Sequence, residues 1–277
     1  MYKLIACDLD ETLLNDKKEI CERNLMAIEK ARKEYGVRFV PATGRGYTCI
    51  DNVLRDLDVY DKENEFIISN NGGIVCENRN FKQLTFHELP YEKAKELFTF
   101  GIEKGLCVQI FTAKDVYAYQ LNDDEKEWLF MFKPDAIEME ENTMDFLKGE
   151  AIAKILFQRQ DMDFLKQLAN EMKPICKGVN VSFSSNRYLE LNSEGVDKGL
   201  GLKELANHLG IDIKETIAIG DNYNDIAMLE EAGLSIAMEN APQEIKDICD
   251  YVTTSNHNEG GVAEAIEKYI FMENVYE

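Results

Sequence analysis

Two carboxylates, Asp8 and Asp10, stand two residues apart where the apolar run Leu4 to Cys7 ends, with Thr12 close behind. Like charges this near repel, and removing them from water is costly unless something positive compensates. Asp221 and Asp225 follow a second apolar run, in Gly220-Asp221-Asn222-Tyr223-Asn224-Asp225. Thr43-Gly44-Arg45 follows a third, and Lys198 opens the helical stretch before the Asp221 run. Together these supply three or four carboxylates, small hydroxyl and amide groups, one lysine and one arginine. No His or Cys stands in a ligand role. Oxygen-only ligands suit a hard divalent cation, and so few dedicated carboxylates suit Mg²⁺ better than Ca²⁺. A metal, a lysine and amides around carboxylates make a phosphoryl-transfer site.

Segments so far apart in sequence need a fold that gathers them. The first third alternates apolar runs (Leu4 to Cys7, Val37 to Ala42, Phe66 to Ile68) with helical patterns, notably Glu22 to Tyr35, closed by Gly36. The last third repeats this grammar. A helix from Gly199 to Leu209 closes with Gly210, and runs at Thr216 to Ile219, Leu234 to Met238 and Tyr251 to Thr253 are separated by helical stretches. Such alternation predicts a parallel sheet with crossover helices, which binds ligands beyond the carboxyl ends of its strands. Thr43 and Gly44 are expected to open a helix, whose free N–H groups favour a phosphate. Between these thirds lie two hairpin patterns, Cys107 to Gln120 and Val179 to Leu191, with helices at Tyr91 to Lys104 and Asp161 to Met172. The fold class is therefore α/β: a Rossmann-like parallel core, residues 1–83 and 189–277, carrying an inserted α/β cap domain, residues 84–188.

The 277 residues carry a formal net charge of −21, with 45% hydrophobic and 30% charged residues. This acidity argues against nucleic acid or an anionic membrane as partner, so attraction to an anionic substrate must be local. No apolar run spans a bilayer. Only four uncharged residues separate Lys3 from Asp8, so no signal peptide is expected. The seven cysteines are scattered, with no C-x-x-C, which reads as reduced thiols and a cytoplasmic location. The acidic stretch Asp123 to Asn142 is expected to be solvated surface. Oligomeric state leaves no trace in the sequence.

Asp8-Leu9-Asp10-Glu11-Thr12, Thr43-Gly44-Arg45, Lys198 and Gly220 to Asp225, in this order, resemble the four motifs of the haloacid dehalogenase superfamily. The position of the large insert resembles that of its Cof-type sugar-phosphate phosphatases, and the resemblance covers the whole chain. It implies that Asp8 is a nucleophile forming an aspartyl-phosphate, and that Asp10 protonates the leaving oxygen and then activates water. It implies Mg²⁺ held by Asp8, the Asp10 carbonyl and Asp221, with Asp225 nearby. It also implies that Thr43, Gly44, Lys198 and Asn224 hold the phosphoryl oxygens of a small phosphorylated metabolite. Many relatives have glycine where Glu11 stands, so glutamate there requires either an ordinary backbone or tolerated strain.

Each residue also has a plainer reading. The Asp8–Asp10 pair fits a turn or cap. Asp221, Asp225 and Thr43 suit helix caps, and Lys198 alone reads as a surface lysine. Arg45 divides between substrate contact and a structural ion pair. Asn70, Asn71 and Gly72 read as a turn, and His87, His208 and His257 as surface groups. Trp128, Phe130 and Phe132 read as packing residues before they read as a cap pocket. The motif set as a whole favours an Mg²⁺-dependent phosphomonoester hydrolase. A sugar phosphomutase with the same chemistry and a non-catalytic phospholigand-binding protein are the alternatives.

Overall fold

The computed structural model describes residues 1–272, so the last five residues of the expected core segment 189–277 lie outside the described residues. Chain contacts divide it into two units. The first comprises Met1–Gly44, Asp51–Thr85 and the described residues from Asp197 onward; the second comprises Arg45–Ile50 and Phe86–Val196.

The first unit begins with β1 (Leu4–Cys7), α1 (Glu22–Tyr35), β2 (Arg38–Pro41) and α2 (Asp51–Asp56). Gly36 ends α1 in the left-handed region at φ 66°, and its N–H caps the Ala31 carbonyl. β3 (Phe66–Ser69), β4 (Ile74–Glu77) and β5 (Lys82–Phe86) follow. The sequence pattern assigned β3 to a parallel sheet and missed β4 and β5. In the structure these three strands form their own sheet, with β3 and β4 antiparallel. The Asn70–Gly72 turn is short enough to fold the chain straight back, and one parallel bridge, Ala42 to Ile68, ties β3 to the end of β2.

In the second unit come α3 (Tyr91–Glu103), β6 (Cys107–Thr112), β7 (Val116–Tyr119), α4 (Asp123–Phe132) and β8 (Ile137–Met139). They are followed by β9 (Ile152–Gln158), α5 (Met162–Met172), β10 (Val179–Ser184) and β11 (Tyr188–Ser193). The six strands lie in the order β10-β11-β9-β6-β7-β8, antiparallel except for the β7–β8 pair. β11 is hydrogen-bonded between β9 and β10, so this unit runs to Val196 and not to residue 188. Leu97, Phe98, Val108, Ile155, Phe157, Leu165 and Leu168 are at most 2% exposed and form its core.

The acidic stretch is only partly solvated. Glu125 is 1% exposed, accepting from Gln109 Nε2 at 2.6 Å and the Tyr188 hydroxyl at 2.8 Å, with Arg187 at 2.9 Å. Burial raises its carboxyl above the ordinary carboxylate value, and Arg187 opposes that rise. Trp128 and Phe132 lie one turn apart on α4 and pack edge to face at 5.1 Å.

The first unit resumes with α6 (Lys198–Leu209), β12 (Thr216–Gly220), α7 (Ile226–Glu231), β13 (Leu234–Ala237), α8 (Gln243–Lys246), β14 (Tyr251–Val252) and α9 (Gly261–Ile266). Its main sheet is wholly parallel, in the order β14-β13-β12-β1-β2. β1 and β12 are buried on both faces, as continuous apolar runs in a covered parallel sheet should be. Among the described residues no helix is long and apolar enough to cross a membrane.

Candidate active site

β1 and β12 are neighbours, paired Leu4 to Thr216 through Cys7 to Ile219, so their carboxyl ends coincide. The ladder continues one step further, with the Asp8 N–H donating to the Ile219 carbonyl at 2.9 Å. That register sets Asp8 beside the loop that begins at Gly220. Carboxylate oxygens of Asp8, Asp221 and Asp225 all lie within 4.8 Å of one another, and the three residues are 6%, 2% and 0% exposed.

Lys198, the first residue of α6, is fully buried among them. Its Nζ donates to Asp8 Oδ1 at 2.5 Å and Asp225 Oδ1 at 2.6 Å. The surface reading of this lysine is therefore corrected: α6 starts at the sheet's carboxyl edge, and its first side chain has nowhere to go but the cluster. Gly72 permits the approach, since a Cβ there would lie 2.0 Å from the Asp197 carbonyl oxygen. Asp225 Oδ2 accepts from the Asp221 and Asn222 N–H groups at 3.1 and 3.0 Å, so it caps this turn and holds Lys198 at once. Gly220 makes room for it, because a Cβ there would meet the Asp225 carboxyl carbon at 2.6 Å.

The electrostatics follow from burial. Asp8 is pushed up from 3.8 to about 7, by desolvation first and then by Asp225, with Lys198 pulling the other way. Asp221 is raised well above the carboxylate range by burial and by Asp8 and Asp225, against the hydrogen bond from Thr12. Burial works against the Lys198 ammonium, yet Asp225 and Asp8 more than offset it and its pKa rises. Three carboxylates and one ammonium leave the cluster short of positive charge. This all-oxygen, buried, net-negative donor set fits a hard divalent cation.

The remaining predicted residues fall into four groups. Asp10 lies outside the carboxylate cluster, and its Oδ1 pairs with Lys18 Nζ at 3.0 Å. Asn224, the residue before Asp225, is part-buried, its Nδ2 donating to Asn71 Oδ1 at 3.2 Å. Thr43 is buried at the end of β2, and here the structure corrects an expectation. Its N–H donates to the Ile68 carbonyl at 2.8 Å, continuing the β2–β3 contact. Helical turns begin only at Tyr47, so Thr43 and Gly44 do not open a helix, and the Thr43 amide is committed. Arg45 belongs to the second unit, where its guanidinium lies over the Phe132 ring at 3.6 Å from the centroid. That is a cation–π contact.

Sequence reasoning placed Thr12 in the gathered set without naming its partner, and passed over Asn240 and Lys18. Thr12 Oγ1 donates to Asp221 Oδ1 at 2.6 Å across 209 residues. Asn240 Nδ2 donates to the Glu11 carbonyl at 2.8 Å, fixing the loop that carries Asp10. Lys18 pairs with Asp10. Thr12 had a sequence signal in its place within the Asp8-to-Thr12 motif, whereas Asn240 and Lys18 had none. Glu11 adopts φ 62°, the left-handed region, so the strain weighed from sequence is present.

Known proteins share this architecture. The chain is 34% identical to a haloacid dehalogenase-like hydrolase from Bacteroides thetaiotaomicron, with a TM-score of 0.81, covering 97% of this chain and 99% of that one. It shares the fold of a sugar phosphatase of HAD subclass IIB, at 23% identity and a TM-score of 0.84 over 96% and 98% of the two chains. It is 31% identical over 290 residues to the 5-amino-6-(5-phospho-D-ribitylamino)uracil phosphatase YwtE of Bacillus subtilis, covering 97% of this chain and 98% of that protein. Residues 5–266 match the family model of haloacid dehalogenase-like hydrolases, and the chain, with its acidic cluster gathered at the ends of β1 and β12, belongs to that family.

Proposed function

We propose that this hydrolase is an Mg²⁺-dependent phosphatase of small phosphorylated metabolites, sugar phosphates among them, working through an aspartyl-phosphate on Asp8. The observation that carries the reading is the buried Asp8–Asp221–Asp225 cluster with Lys198 inside it. Asp8, the Asp10 carbonyl and Asp221 would hold the cation, with Asp225, already bound to Lys198 and two amides, nearby. Bound there, Mg²⁺ supplies positive charge that favours ionised Asp8 and Asp221 and neutralises phosphoryl oxygens.

Asp8 attacks phosphorus while the bond to the leaving oxygen breaks, and Asp10 delivers a proton to that oxygen. Asp10 then takes a proton from the water that attacks the aspartyl-phosphate, releasing phosphate and restoring Asp8. Lys198 has three N–H donors, two of them given to Asp8 and Asp225, and the third serves a phosphoryl oxygen. Thr43, through its hydroxyl, Gly44 and Asn224 complete the cradle.

The test is phosphate release from a panel of sugar phosphates and p-nitrophenyl phosphate, with Mg²⁺ and with chelator. Turnover should require the metal and vanish in Asp8→Asn. Wild-type turnover by Asp8→Asn would overturn the nucleophile, and isomerised sugar phosphate in place of free phosphate would overturn hydrolysis.

A further inference from the structure

Lys18 sits in a tight turn whose construction is costly unless its side chain has a task. The turn is closed by Asn15, whose N–H donates to the Glu19 carbonyl at 2.9 Å. Asn15 Oδ1 accepts from the Lys17 and Glu19 N–H groups at 2.9 and 3.0 Å. Lys18 adopts φ 63°, where glycine or asparagine would serve the backbone better. Its side chain folds back eight residues to Asp10 Oδ1 at 3.0 Å, with the two side chains 19% and 20% exposed.

The turn is also clasped from outside. Asp16 Oδ1 lies 2.9 Å from His257 Nε2, and Asp16 Oδ2 accepts from Asn258 Nδ2 at 3.2 Å. The Asp16 N–H donates to Asn258 Oδ1 at 3.0 Å. The His257 N–H donates to Asn240 Oδ1 at 3.1 Å, and Asn240 Nδ2 reaches the Glu11 carbonyl at 2.8 Å. The contacts form a closed ring: from Asp10 through Lys18 to Asp16, across to His257 and Asn240, and back to Glu11, the residue beside Asp10.

We propose that Lys18 is a positioning residue for Asp10, fixing one carboxylate oxygen so that the side chain stays aimed at the leaving oxygen, with the Asp16–His257–Asn240 clasp holding Lys18 in place. The inference depends on the reading of Asp10 as proton donor and acceptor. A carboxylate on a loop has two free torsions, and proton transfer needs it within hydrogen-bond reach of one atom. Misplacement by about 1 Å costs on the order of 100-fold in rate.

The experiment compares kcat/KM for glucose 6-phosphate, whose alkoxide must be protonated to leave, with that for p-nitrophenyl phosphate, whose phenolate leaves without a proton. Lys18→Met should lower kcat/KM about 10–100-fold on glucose 6-phosphate and less than about 3-fold on p-nitrophenyl phosphate. KM should stay nearly constant, and Lys18→Arg should restore most of the loss. Lys18→Gln carries the same test should the Met variant fail to fold. Equal losses on both substrates, no loss on either, or failure of arginine to rescue would overturn the proposal. Asp10→Asn, run in parallel, separates the two readings. If it hydrolyses glucose 6-phosphate at the wild-type rate, the role of Asp10 is wrong. If it shows the leaving-group-selective loss while Lys18→Met does not, only the role of Lys18 is wrong.

Discussion

Removing the proposed nucleophile should stabilise the metal-free protein. Asp8 is pushed from 3.8 to about 7, chiefly by burial and by Asp225. A carboxyl raised in the folded state gives stability that is fully present below its unfolded value, near pH 4, and is lost as the pH climbs through 7. At about 1.4 kcal/mol per pH unit, the loss reaches at most about 4 kcal/mol by pH 8. Asp8→Asn keeps the shape and an oxygen for Lys198 Nζ but cannot ionise. Its stability advantage should be near zero at pH 4 and grow to as much as about 4 kcal/mol at pH 8, or about 8 °C in Tm. Calorimetry of both proteins in chelator, at half-unit steps from pH 4 to 8, measures the difference. Added Mg²⁺ should reverse the order at pH 8, because the cation favours the wild-type carboxylate. A difference that stays flat with pH, or a variant less stable than wild type at pH 8, would refute the claim that buried, unneutralised charge dominates this site.

Thr12→Val leaves Asp221 without its 2.6 Å donor. It should cost about 1–3 kcal/mol in chemical denaturation and weaken Mg²⁺ binding about 10–100-fold by calorimetric titration. Glu11→Gly relieves the left-handed backbone at φ 62° and should gain about 0.5–1 kcal/mol net of the added chain entropy, read as a raised denaturation midpoint. In the second unit Lys154 and Glu190 form an ion pair at 1% and 2% exposure. Lys154→Met alone should cost about 3–5 kcal/mol, whereas Lys154→Met with Glu190→Leu should restore most of it, as a double-mutant cycle would measure.

The local pattern of the chain determined most of its elements, the alternation that makes a parallel core, and the segments that carry the candidate site residues. These are legible because they are periodic or adjacent. β1 and β12 announce themselves by unbroken apolar runs, and Gly36 and Gly210 mark helix ends where the structure has φ 66° at both. The match of Glu22–Tyr35 to α1 is residue for residue.

Only the tertiary structure decided what each side chain touches. Lys198 reads as surface from its neighbours, yet the start of α6 at the sheet edge buries it between two carboxylates. Thr43 reads as a helix opener, yet the bridge between Ala42 and Ile68 claims its amide first. Glu125 sits in an acidic run, yet Gln109, Tyr188 and Arg187 from other elements close over it. Thr12 finds Asp221 only because the register of β1 on β12 brings their loops level. A sequence records spacing along the chain; which partners meet across it depends on strand register, and no single segment carries that.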